Sequence, residues 1–185
     1  RKPLIIEGAR QVGKTWIMKE FGRCEYENYA YINCDNEPLM GELFAADYNI
    51  DRILLGVQAI TGIKPEAKKT LIIFDEIQEV PRGLAALKYF QENAPQYHIM
   101  VAGSLLGITL HQGTSFPVGK VDILKMYPMN FLEFLDAVAD KQWSDMLISG
   151  DWTLISSMRT KFIEYIRQYY FVGGMPEVVK DYVKN

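Results

Sequence analysis

The stretch Gly8-Ala9-Arg10-Gln11-Val12-Gly13-Lys14-Thr15 fits the pattern G-x-x-x-x-G-K-[ST]. It constrains the chain more than any other, because this pattern works only between a buried strand and the start of a helix. Its four fixed positions would coincide by chance in well under ~1% of chains this long, at ordinary residue frequencies. The flanks supply the required context, with apolar Leu4-Ile5-Ile6 before the motif and helix-like Trp16-Ile17-Met18-Lys19-Glu20-Phe21 after it. Gly8 and Gly13 let the backbone turn tightly around a phosphate chain with its N–H groups pointing inward. The helix opening near Lys14 adds its positive dipole end at the same place. Lys14 is expected to reach the β- and γ-phosphates, and the Thr15 hydroxyl to ligate Mg2+. The expected nucleotide contacts are therefore Gly8, Ala9, Arg10, Gln11, Val12, Gly13, Lys14 and Thr15, extended by Trp16 at the helix start.

Composition bounds the rest. The 185 residues suit one domain or two small ones, and 49% hydrophobic residues supply a sizeable core. The net charge of −3 gives no support for nucleic acid as a partner. No apolar run approaches the ~18 residues of a membrane span, and the basic Arg1-Lys2 leads only into a short strand rather than a signal peptide. Cys24 and Cys34 form no metal-ligand grouping and are expected to be reduced packing residues. A cytoplasmic location is the expectation. The first strand begins within a few residues of Arg1, which suits a piece of a longer chain.

Strand-like and helix-like stretches alternate. Strands are expected over about 3–7, 29–34, 68–76, 98–102 and 121–126, the third being Lys68-Lys69-Thr70-Leu71-Ile72-Ile73-Phe74-Asp75-Glu76. Helices are expected from the motif to about Gly22, and then after caps at Asp35 or Asn36. Another should follow Asp51, ending at Gly62 and Pro65, and another should start at Pro81. The segment 105–119 reads as a long surface loop. Asn130 and Glu133 resemble a capping box. A long helix is expected over about 153–171, with Tyr165, Tyr169, Tyr170 and Phe171 forming a core stripe. Gly173-Gly174 should interrupt it, and Pro176 should open a final helix. This alternation predicts an α/β fold with a parallel sheet covered on both faces.

Asp75 and Glu76 close an apolar strand in the manner of a Walker B element. Asp75 would lie on the phosphate-loop edge of the sheet and hold the Mg2+ shell through water, while Glu76 would orient or deprotonate the attacking water. Ser104, at the end of the next strand, could touch the γ-phosphate or the water. Arg10 could bridge to a neighbour, pair with a local acid or stay solvated, and Gln78 could bind water beside the acidic pair. His98 and His111 read as structural or surface residues.

Gly-Ala-Arg-Gln-Val-Gly-Lys-Thr (8–15), Phe-Asp-Glu-Ile-Gln (74–78), Ala-Gly-Ser (102–104), Tyr-Pro-Met-Asn-Phe-Leu-Glu-Phe-Leu (127–135) and Gly-Gly-Met-Pro-Glu (173–177) occur in this order. Together they resemble a family of bacterial and archaeal AAA-type P-loop ATPases that carry a further C-terminal domain of poorly known function. The resemblance implies a three-layer α/β/α P-loop NTPase fold of the additional-strand catalytic-glutamate (ASCE) type. In that fold the strand ending at Ser104 lies between the phosphate-loop strand and the Walker B strand.

Carried over residue by residue, it implies Lys14 and Thr15 for phosphate and Mg2+, Asp75 and Glu76 as Walker B, and Ser104 as a sensor. Gly174-Met175-Pro176 resembles the Gly-x-Pro element of STAND-class switches, whose proline packs near the nucleotide. The expected organisation is a nucleotide-binding core over 1–128 and a helical lid or subdomain over 129–185, with a further domain beyond Asn185. The expected ligands are ATP or ADP with Mg2+. The expected partner is another protein or the chain's own further domain.

Overall fold

The computed structural model describes residues 1–80, 82–104, 116–117 and 119–184. The chain divides into two compact units, Arg1–Met126 and Tyr127–Asn185. The expectations for Pro81, His111 and most of the 105–119 loop lie outside the described residues.

The first unit is built on five parallel strands: β1 (Leu4–Gly8), β2 (Asn28–Asn33), β3 (Thr70–Asp75), β4 (His98–Ser104) and β5 (Asp122–Met126), in the order β2-β3-β4-β1-β5. The strand ending at Ser104 thus lies between the loop strand and the strand ending at Asp75, as the resemblance implied. All six residues of β3 are buried, because β3 has a neighbour on each side and helices over both faces.

Strand alternation sorts its side chains. Ile72 and Phe74 join the larger core under α2 (Pro38–Ala46), α3 (Ile50–Thr61) and α4 (Gly83–Asn93). Leu71 and Ile73 join the smaller core, with Ile6 and Ala102, under Met18 of α1 (Lys14–Glu25). The result is three layers, α/β/α. Phe44 and Phe74 meet edge to face at 5.6 Å in the larger core, and each such buried ring contributes ~1.5–3 kcal/mol.

Several boundaries depart from the sequence reading for local reasons. The third strand starts at Thr70 and ends at Asp75. Lys68 has φ 65° and Glu76 φ 52°, left-handed values that a strand cannot contain. Helix α1 runs through Gly22 to Glu25, because Gly22 lets the helix press on Tyr29. Neither Asp35 nor Asn36 caps α2; both belong to a 3-10 turn, and α2 opens on Pro38, whose fixed φ suits the first helical position and which has no N–H there to leave unpaired. Asn49, not Asp51, caps α3 through the Arg52 amide at 3.1 Å, and Gly62 ends it at φ 71°.

The second unit holds five helices among its described residues: α5 (Phe131–Val138), α6 (Gln142–Ser149), α7 (Trp152–Ser157), α8 (Arg159–Val172) and α9 (Pro176–Lys184). The capping box is present, with Glu133 N–H donating to Asn130 Oδ1 at 3.0 Å and Asn130 N–H to Glu133 Oε2 at 2.7 Å. The single long helix expected over 153–171 is broken at Met158, whose φ −98° and ψ 11° leave the helical region. At this break the Met158 N–H is shared between Leu154 O at 3.2 Å and Ile155 O at 3.1 Å, and the Ser157 hydroxyl also donates to Leu154 O at 2.7 Å.

The core stripe also needs correction. Tyr169 packs on Phe134 at 5.3 Å, but Tyr170 and Phe171 are 81% and 89% exposed. Gly173, at φ 78°, ends α8, and Pro176 opens α9.

Candidate functional site

Parallel strands put their carboxyl ends on one sheet edge, so β1, β3 and β4 deliver Gly8, Asp75 and Ser104 to the same side. Ser104 stands in register with Gly8. Gly8 also faces β5 so closely that a Cβ there would collide with the Met126 carbonyl, which gives this glycine a packing reason as well as a turning one. The loop then turns through Gln11 at φ 63° and Gly13 at φ 97° into α1. Val12 is buried and anchors it. Arg10, Gln11 and Trp16 are exposed, Trp16 at 66%.

Lys14 is buried and folds back over the loop, its Nζ donating to Ala9 O at 2.7 Å and Gly8 O at 3.1 Å. Burial lowers its pKa, the Glu76 and Asp75 carboxylates oppose that, and the nearby Arg10 charge adds to it. The loop carbonyls thus hold the ammonium against the loop's own backbone.

Asp75 gathers three donors. The Thr15 hydroxyl donates to Oδ2 at 2.5 Å, the Tyr31 hydroxyl to Oδ2 at 3.0 Å, and the Glu76 amide to Oδ1 at 3.1 Å. Glu76 leaves the strand direction through its positive φ, so the two carboxylates diverge. Gln78 Nε2 donates to Glu76 Oε2 at 2.5 Å and to Glu79 Oε1 at 3.3 Å, while Gln78 Oε1 is buried without a hydrogen-bond partner. Gln78 is thus bound directly to Glu76, the second acid of the pair, and to Glu79.

Thr15 and Asp75 offer hard oxygens, and among the described residues no three His, Cys, Asp or Glu side chains cluster to hold a metal. That donor set fits Mg2+, which takes one or two protein oxygens and completes its shell with water and phosphate.

Other candidates fall elsewhere. His98 opens β4 at the opposite sheet edge, where its Nδ1 pairs with the Tyr26 hydroxyl at 2.8 Å. Cys34 is a buried thiol whose pKa burial pushes up to about 12, whereas Cys24 is exposed, contrary to the packing role expected. Pro176 belongs to the second unit.

Tyr31 is the residue that the sequence reading missed. It looks like an ordinary strand aromatic, and only its place beside β3, in a strand that pairs Asn33 with Asp75, could have pointed to it.

A five-stranded parallel sheet in this order, with a lysine-bearing loop after β1 and an acid at the end of β3, defines a nucleotide-binding P-loop domain. A family model described as an AAA domain matches residues 1–135, and the chain belongs to that family. The AAA-type resemblance read from the motifs is thereby borne out. No curated protein matches the chain.

Among solved structures it is similar to Drosophila ORC bound to DNA, with a TM-score of 0.49 and 16% identity over 74% of this chain and 40% of that one. Aeropyrum pernix ORC1 in complex with DNA gives 0.46 and 12% over 73% and 42%. C. elegans PCH-2 gives 0.43 and 10% over 74% and 37%. The chain thus spans about two fifths of the length of these solved chains. Among the described residues, no helix is long and apolar enough to cross a membrane.

Proposed function

We propose that this domain binds ATP with Mg2+ and hydrolyses it, and that the nucleotide state is passed to an attached domain or a partner protein. The observation that carries the reading is the meeting of Lys14, Thr15, Asp75 and Glu76 at one sheet edge, tied by the Thr15–Asp75 hydrogen bond of 2.5 Å. Lys14 trades its loop carbonyls for phosphate oxygens and neutralises charge that develops on the γ-phosphate. Thr15 and Asp75 would hold Mg2+, which supplies further neutralisation of the phosphates when bound. Glu76 orients the attacking water and takes its proton. Ser104, beside Gly8, reports the γ-phosphate or the water.

Met175 O accepts the Val179 amide at 3.0 Å, so Gly174-Met175-Pro176 forms a helix start.

Phosphate release by the full chain, with ATP and with GTP across protein concentrations, tests the reading. Magnesium-dependent release that Lys14→Ala abolishes supports it. Nucleotide binding with no release moves the conclusion to the second reading, a switch that changes partners with little turnover. The absence of any nucleotide binding overturns both.

A further inference from the structure

We propose that Tyr31 is a positioning residue for the magnesium-holding carboxylate, its hydroxyl fixing the plane of Asp75 while Lys19 steadies its ring. This rests on the nucleotide-site reading above and adds a residue to it.

The placement follows from strand geometry. β2 pairs with β3 so that Asn33 stands opposite Asp75 and Tyr31 opposite Ile73. Residues two apart share a face, so Tyr31 lies on the Asp75 face, one step further from the sheet edge. Only a long side chain spans that step of roughly 7 Å. The phenol does so, and its hydroxyl reaches Asp75 Oδ2 at 3.0 Å. The ring packs against the smaller core beneath α1. From α1 itself, the helix that carries Lys14 and Thr15, Lys19 Nζ sits 3.5 Å from the ring centroid.

An ionised carboxylate has about four lone-pair directions. Thr15 and Tyr31 occupy two on Oδ2, and the Glu76 amide occupies one on Oδ1. The remaining direction, on Oδ1, is then fixed in space. The Thr15 hydroxyl has one proton and two lone pairs, so it can donate to Asp75 and still offer an oxygen lone pair to a cation. Without the phenol, a single hydroxyl would hold Oδ2, and the carboxylate torsion is intrinsically broad. Supporting hydrogen bonds of this kind tune metal affinity without touching the metal.

The test is Tyr31→Phe in the full chain, which keeps the ring and deletes only the hydroxyl. Binding of a fluorescent ATP analogue is titrated against Mg2+ and repeated in a chelator. The magnesium concentration for half-maximal binding should rise roughly tenfold, while chelator-state affinity and the nucleotide-free melting temperature stay at wild-type values. Lys19→Met should shift the magnesium midpoint the same way by less, and Asp75→Asn by more. If Tyr31→Phe lowers the melting temperature, the ratio of magnesium-state to chelator-state affinity still isolates the metal effect. A wild-type magnesium midpoint in Tyr31→Phe overturns the proposal, as does an equal loss of affinity with and without Mg2+. Should the wild-type chain bind nucleotide without regard to Mg2+, the metal-site reading itself fails, which is a distinct outcome.

Discussion

The Thr15 hydroxyl donates to Asp75 Oδ2 at 2.5 Å, joining the first turn of α1 to the end of β3. The helix follows β1, and β4 separates β1 from β3 in the sheet, so the bond ties elements whose strands are not neighbours. It brings the two hard oxygens that suit Mg2+ to one point. The same carboxylate also binds Tyr31, so the loop helix and two strands converge on a single side chain.

A substitution at Glu76 tests whether binding and chemistry separate. Glu76→Gln keeps size and hydrogen bonding but loses basicity, so ATP binding should persist while phosphate release falls roughly a hundredfold. Gln78→Ala removes the donor on Glu76 Oε2 and should lower kcat by a smaller factor with KM unchanged. Normal turnover in Glu76→Gln would assign the water to another group.

Lys14 gives a proton signature. Its pKa lies below lysine's ordinary 10.5 because of burial, so at mildly alkaline pH the free domain holds a larger neutral fraction than a solvated lysine would. Phosphate favours the ammonium, so nucleotide binding takes up a proton there. The uptake should fade as pH falls to where Lys14 is charged in both states. Calorimetry in buffers of differing ionisation enthalpy reads this directly. Binding heats independent of buffer at alkaline pH would contradict it.

Turnover should depend on protein concentration. Arg23 is bound to Glu20 at 2.9 Å, Arg52 is paired with Asp47 at 2.5 Å, and Arg82 donates to Ala45 O at 2.8 Å. These local ties occupy three arginines of the chain. An arginine from a neighbouring molecule is worth about 10³-fold or more in such reactions, so specific activity should rise with concentration. A fast rate that is flat across a wide dilution series would show that the chain already contains its own arginine.

Gly174 tests the second unit. A Cβ there would strike the Met129 carbonyl, and the Met129 amide donates to Gly174 O at 2.7 Å. Backbone lies against backbone with no side chain able to yield. Gly174→Ala should therefore cost about 1–3 kcal/mol, the scale of overpacking, seen as a lower melting temperature. An unchanged melting curve would mean that this contact forms only weakly in solution.

The sequence by itself determined the phosphate loop, the acidic strand end, the parallel alternation and the Asn130–Glu133 capping box, because each is a local pattern with a local physical cause. Glycine spacing, hydrophobic period and cap chemistry act within a few residues. The long helix expected through Met158 is two helices, because the Met158 backbone leaves the helical region at a position with neither glycine nor proline to mark it. Tyr170 and Phe171 misled for a different reason, since an aromatic run does not say which face a helix turns inward. Only the tertiary structure decided that Tyr31 reaches Asp75, that Gln78 holds Glu76, and that Gly8 presses on Met126. These contacts join residues through strand register and through left-handed turns such as that at Glu76. Register is set when the whole sheet closes, and no short window of sequence contains it.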